Sequence, residues 1–358
     1  MGLFGRLNNL DRRWIFLLMG LAVAIPIIII DRTGFIPPEL PMPKAKSTFR
    51  TLDDLPAGSK VLLSWDFDPA TEGELGPMAN TFIRQCAQKG HKMYFMALVP
   101  VGAQMVRSTT ADVIGGYYPD LKYGEDWVDL GYKAGNEAVV KTLVTDFNQM
   151  FPSDARGTPL SSIPMMRGIK DLTAFDAIVS VTAGYPGCKE WVLFASTPLK
   201  IPTLVGCTGV IAPQMYPYYP QQVQGLLQAI KGAAEYELLV NEWVRRDRFA
   251  GMLARFGVAG VEPASLGSLP STVEGLDGWA NGEQEAGTLD SSQTSAIRGL
   301  SSERKAELVS LAATAEPGLF LEAQKRMGPQ LSAHILMLLL IVVGNLTYFV
   351  TRRRGGGR

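Results

Sequence analysis

Two uncharged apolar runs, one near each end of the chain, constrain everything that lies between them. From Trp14 to Ile30 the sequence reads WIFLLMGLAVAIPIIII, 17 residues without a charge. From Leu331 to Val350 it reads LSAHILMLLLIVVGNLTYFV, 20 residues in which only His334 can become charged near neutrality. A hydrocarbon layer about 30 Å thick takes about 20 helical residues, so the second run is a comfortable span and the first a short one. Membrane helices tolerate a proline such as Pro26, and Trp14 and Tyr348 stand where interfacial rings are favoured. The alternative for the first run is a cleaved signal peptide, but no small-x-small cleavage pattern follows Ile30. The expectation is therefore an uncleaved transmembrane helix at 14–30 and a second at 331–350.

Charge placement orients these helices. The chain has 34 basic and 34 acidic side chains, yet the two tips hold seven arginines and one aspartate. The remainder is then net −6. Lys and Arg near a span favour the cytoplasmic side. Arg6, Arg12 and Arg13 precede the first span, and Arg352, Arg353, Arg354 and Arg358 follow the second. The tails 1–13 and 351–358 are thus expected in the cytoplasm, with the mass between the spans outside the cytoplasmic membrane. The bilayer is the first expected partner. Zero net charge without a basic domain argues against nucleic acid. Three cysteines do not make a disulfide scaffold, and two histidines leave little for a metal site, so no metal or cofactor is expected.

Five prolines, Pro37, Pro38, Pro41, Pro43 and Pro56, mark 31–57 as an extended tether. Regular pattern begins at Lys60. KVLLSWDF, HKMYFMALV, AIVSVTAG and IPTLVGC are short apolar runs without polar alternation, the mark of strands buried on both faces. Helical spacing separates them at 74–90, 102–114, 136–151 and 189–197, and a long helix is expected from about Gln222 to Phe256. Alternating strands and helices predict a doubly wound, mostly parallel α/β sheet of Rossmann-like or flavodoxin-like type over 58–256. Residues 257–300, rich in Gly, Ser and Glu, are expected to be a flexible linker. A juxtamembrane helix at 301–330 leads into the second span.

Candidate functional residues gather where α/β sheets place ligands, at the carboxyl ends of strands. The first strand ends in Asp66-Phe67-Asp68. An Asp-x-Asp at this place resembles that of haloacid-dehalogenase-type phosphatases, which implies Asp66 as nucleophile and Asp68 as acid. The resemblance is limited to the pair, because Ala70 stands where the family has a hydroxyl. The plain alternative is a helix cap or loop hydrogen bond. Tyr185 and Gly187, then Gly206, Thr208 and Gly209, lie in glycine-rich turns that can offer backbone N–H groups to an anion. Tight strand-to-helix turns explain them as well, and neither fits a dinucleotide or P-loop fingerprint. Cys188 and Cys207 follow neighbouring strands, and their pairing is left open. Tyr216, Tyr218 and Tyr219 alternate with prolines in a stiff loop suited to a partner contact, or to folding onto its own domain.

The overall layout is similar to that of auxiliary subunits of ABC-type export or gliding systems, with an anchor at each end of an extracytoplasmic α/β domain. That likeness implies a non-enzymatic accessory or scaffold subunit serving a membrane assembly, with other subunits or further copies of itself as partners. The rivals are an anchored phosphatase-like hydrolase using Asp66 and Asp68, and a solute-sensing domain.

Overall fold

The computed structural model describes residues 11–36, 39–313 and 320–355. Its contacts divide the chain into two units, Met1–Leu40 with Leu321–Arg358, and Pro41–Phe320. Helix α1 (Arg12–Thr33) starts at Asp11, whose carboxylate accepts the Arg13 N–H at 3.0 Å. It stops at Gly34, whose left-handed φ of 66° few other residues adopt.

In the central unit, α2 (Pro43–Asp53) precedes β1 (Lys60–Asp66), α3 (Glu72–Lys89), β2 (Lys92–Ala97) and α4 (Gly102–Thr110). A π-helical turn, Ala111–Gly115, extends α4. Next come β3 (Trp127–Tyr132), α5 (Glu137–Thr145), β4 (Ala177–Thr182) and α6 (Cys188–Trp191). Then β5 (Thr203–Cys207), α7 (Ala212–Met215), β6 (Gly225–Gln228) and α8 (Ala229–Arg255) follow. All six strands are parallel, in the order β3-β2-β1-β4-β5-β6. Strands β4 and β5 are buried along their whole length and β1 at every position after Lys60, which is why their sequences lack polar alternation.

Helices cover both faces. Leu62, Tyr94, Val128 and Ile178 are in register across four strands and join Val139, Val140 and Leu143 of α5 in one core. On the other face the Trp65 indole donates to Thr109 of α4 at 3.0 Å. Helix α8 packs against α3 there, with the Phe82 and Tyr236 rings 4.8 Å apart and Arg84 donating to Asn241.

Several expectations need correction. The stretch 31–57 is not extended tether throughout, because α2 occupies its second half with Thr48 and Leu52 buried. Pro43 sits at the first position of that helix, where its missing N–H costs nothing. Gly225 makes room for it, since a Cβ there would lie 2.4 Å from the Thr48 hydroxyl oxygen. Gly225 belongs to β6 and not to the long helix, which begins at Ala229. Strand β3 was also unforeseen, because Asp129 and Gly131 interrupt its apolar run. The expected helix at 136–151 breaks at Asp146, whose carboxylate caps a short turn at Phe147–Met150.

The proposed flexible linker, 257–300, contains two helices, α9 (Val273–Glu285) and α10 (Ser291–Arg298), followed by α11 (Ser302–Ala313). Asp290 and Gln293 cap α10 reciprocally at 2.7 and 2.9 Å. Leu276, Ala280, Ile297 and Leu308 form a second core with Phe249 and Leu253 from the far end of α8. The helix expected over 301–330 is thus split. Its middle, 314–319, lies outside the described residues, and its end belongs to α12 (Glu322–Gly355).

In the terminal unit α12 packs along α1. Both helices are long and apolar enough to cross a membrane, and only 6% of the most apolar window in each is buried inside the protein. The tips at 1–10 and 356–358 lie outside the described residues.

Candidate functional site

From β1 the chain moves outward through β2 to β3, then returns to the other side of β1 as β4. Parallel sheets open a crevice at such a reversal, beyond the carboxyl ends of the strands. Asp66 ends β1 beside Thr182 of β4 and, one strand further, Cys207 of β5.

Asp66 points into the protein and is 2% exposed. One carboxyl oxygen accepts the Leu98 N–H at 2.7 Å and the other accepts the Ser64 hydroxyl at 2.8 Å. Burial raises its pKa to about 7, against the lowering effect of those two hydrogen bonds. The Trp191 indole also favours the charged form, without making a hydrogen bond of normal geometry, and Glu190 opposes it. Asp68 lies past the strand end. Its carboxylate accepts the Thr71 N–H at 3.0 Å and the Thr71 hydroxyl at 2.9 Å, folding the turn that leads into α3. The two aspartates therefore face different surroundings. Asp66 is buried against Leu98 and Ser64, whereas Asp68 is half-buried and engaged by the turn at Thr71.

The glycine-rich turns do present backbone donors, and the chain's own carboxylates fill them. The Gly187 N–H donates to Glu190 at 2.7 Å, and the Gly209 N–H donates to Glu74 at 2.9 Å. Glu74 and Glu190 each stand in the first turn of a helix, where the dipole favours a negative charge. Gly187 has to be glycine, because a Cβ would sit 2.0 Å from the Thr182 hydroxyl oxygen. Gly206 lies inside β5 and packs, its bare Cα leaving room for Met78 of α3. Thr208 is buried, and its hydroxyl has no hydrogen-bond partner among the described residues. A phosphate seeking these turn donors would have to displace the carboxylates of Glu74 and Glu190.

A small cavity of about 250 Å³ opens beside these turns, lined by Tyr185, Cys188, Glu190, Ile211 and Met215 among others. Cys188 and Cys207 belong to one buried cluster and both are free thiols. Cys188 donates to the Met215 sulfur at 3.3 Å. Burial pushes the Cys188 thiol well above its usual range and the Cys207 thiol to about 12, so neither supplies a thiolate nucleophile near neutrality. Among the described residues no group of three or more His, Cys, Asp or Glu is arranged to hold a metal ion.

The Tyr-Pro loop folds largely onto its own domain. Tyr218 and Tyr219 pack against the Cys188–Cys207 cluster. Tyr216 is more open, but its hydroxyl donates to Gln228 at 2.7 Å and Lys44 lies 4.0 Å from its ring. The most exposed apolar groups in the loops after the strands are Tyr185 after β4, 66% exposed, and Val210 after β5, 81% exposed. Sequence reasoning singled out Tyr185 but missed Val210, Glu74 and Glu190. Glu190 had a readable signal, an acid three residues beyond a glycine in a strand-to-helix turn. The chain matches no protein-family model, no curated protein and no solved structure.

Proposed function

We propose that this chain is a non-enzymatic accessory or scaffold subunit of a membrane complex, anchored by both ends, whose Rossmann-like domain docks a protein partner. The strand order supports the Rossmann-like assignment, since dinucleotide-binding sheets use the same order. One observation carries the rest. At the edge where such sheets hold nucleotides, Glu74 and Glu190 occupy the backbone donors, while Tyr185 and Val210 project outward. That edge offers a phosphate group repulsion and offers an apolar partner two exposed anchors.

Membrane anchoring is supported by α1 and α12, apolar on nearly all sides and little covered by protein. A helix of that kind needs either a protein core or a bilayer around it. We place the chain in the cytoplasmic membrane with both tails inside and the central domain outside.

Purification of the full chain in mild detergent, with mass spectrometry of what accompanies it, tests the proposal. A central Tyr anchor contributes about 2 kcal/mol, or roughly 30-fold in affinity. Replacing Tyr185 and Val210 together by Ser is expected to release the partner while leaving the melting temperature unchanged. Full retention of every partner by this variant would remove the sheet edge as the interface.

A further inference from the structure

We propose that the cleft beside edge strand β3 binds a small organic anion, an acid group carried on an apolar body. This site is separate from the strand-end loops and stands apart from the partner reading. It encloses about 440 Å³, the size range of small-molecule sites, which are mostly apolar with a few placed polar groups. Its walls come from α4, the π turn after it, β3 and the turn at 154–157. Arg107 and Ile114 line it from positions i and i+7 across the α-to-π junction, with Ala111 between them. Single π turns recur at functional sites.

Two guanidiniums converge on this cleft without a counter-ion in contact. Among the described residues neither Arg107 nor Arg156 forms an ion pair. Arg156 lies 3.4 Å from the centre of the Tyr123 ring and 5.8 Å from that of Trp127. Stacking of this kind holds the planar fork in place while its N–H groups remain in plane for a bidentate acid. Two carboxylates belong to this corner, Asp154 beside the cleft and Asp129 on its wall. Asp154 accepts the backbone N–H groups of Arg156 and Thr158 at 2.9 and 2.7 Å, and the Tyr123 hydroxyl at 2.7 Å. Asp129 is 7% exposed and accepts the Gly131 N–H at 2.9 Å. Burial raises its pKa, which weakens it as a counter-ion, although Arg107 and Arg156 oppose that shift. An inward charge on an edge strand is also a device against strand pairing. That explains Asp129, but not a cavity of this size with two arginines on its wall.

The guanidinium fork fits carboxylate and phosphate alike, so the test uses both. Full-length protein in mild detergent is titrated calorimetrically with benzoate, phenyl phosphate and the neutral benzyl alcohol. Saturable binding is expected for at least one acid and not for the alcohol, and the acid that binds identifies the anion. The double variant Arg107→Gln, Arg156→Gln is expected to weaken it at least 10-fold, in line with a charged hydrogen bond. Ala111→Trp should block it sterically with both arginines kept. All three positions are exposed, so the melting temperature should not move. Heat from neither acid, binding of benzyl alcohol as tight as that of the acids, or affinity unchanged in both variants would each overturn the site.

Discussion

Asp66 is a carboxyl that folding holds close to neutrality, and that has a measurable consequence. The folded chain keeps the proton up to about pH 7, while the unfolded chain loses it near 3.8. Between those values the folded state binds more protons, so stability falls as pH rises. At about 1.4 kcal/mol per unit, the whole window amounts to a loss on the order of 4 kcal/mol. Asp66→Asn keeps an acceptor for the Leu98 N–H and a partner for the Ser64 hydroxyl, but it removes the titration. Melting curves of both proteins are expected to converge below the window and separate above it, with the variant more stable. Parallel curves across the window would mean that Asp66 is ionised in the fold. The Asp-x-Asp pair itself was legible in the sequence. The different partners of its two members were not, because two residues two apart share a face only while the strand continues, and β1 stops at Asp66. The carboxylate of Glu74 was hidden for a related reason. Which anion fills a turn depends on the neighbouring helix, and for Gly209 that partner lies 135 residues away.

At the scale of elements, periodic segments were readable and sparse ones were not. Strands β1, β2, β4 and β5 announce themselves as apolar runs, whereas β6 has four residues joined directly to a helix. Residues 257–300 mislead by composition. Their apolar residues are few, but Leu276, Ala280 and Ile297 face one cluster completed by Phe249 and Leu253 of α8. A local reading sees too little apolar surface to offset the entropy of ordering, because half of the core arrives from elsewhere. The Phe249 and Trp279 rings, 5.2 Å apart at 80°, join the two halves. Amide hydrogen exchange is therefore expected to find α9 and α10 protected. Ile297→Ala removes a fully buried side chain and should cost about 2 to 4 kcal/mol, lowering protection in both helices together. Protection in β1 and β4 should stay unchanged, since they belong to another core. Rapid exchange throughout 273–298 in the unmodified protein would restore the linker.

For the whole molecule, the two exits from the central unit bear on topology. The Met42 N–H donates to Glu235 at 3.1 Å, and the Asn241 side chain donates to the Phe320 carbonyl at 2.7 Å. Both partners are on α8, six residues apart, or about 9 Å along its axis. The chain thus enters and leaves this unit at neighbouring points, an arrangement suited to two anchors that meet the same face of a bilayer. On the proposed membrane placement, the positive-inside rule makes the arginines decide which face. At the second span the contrast is clear, with Arg352, Arg353, Arg354 and Arg358 beyond it and only Lys325 and Arg326 shortly before it. At the first span, Arg6, Arg12 and Arg13 are equalled in number by Arg32, Lys44 and Lys46, so the second span carries the bias. A reporter fused after Arg50 should therefore read outside, and one fused after Arg358 should read cytoplasmic. Changing Arg352, Arg353 and Arg354 to Gln should yield a mixed signal at the second position, because the remaining bias is small. A cytoplasmic signal from the Arg50 fusion in the unmodified chain would invert the topology and put the central domain inside the cell.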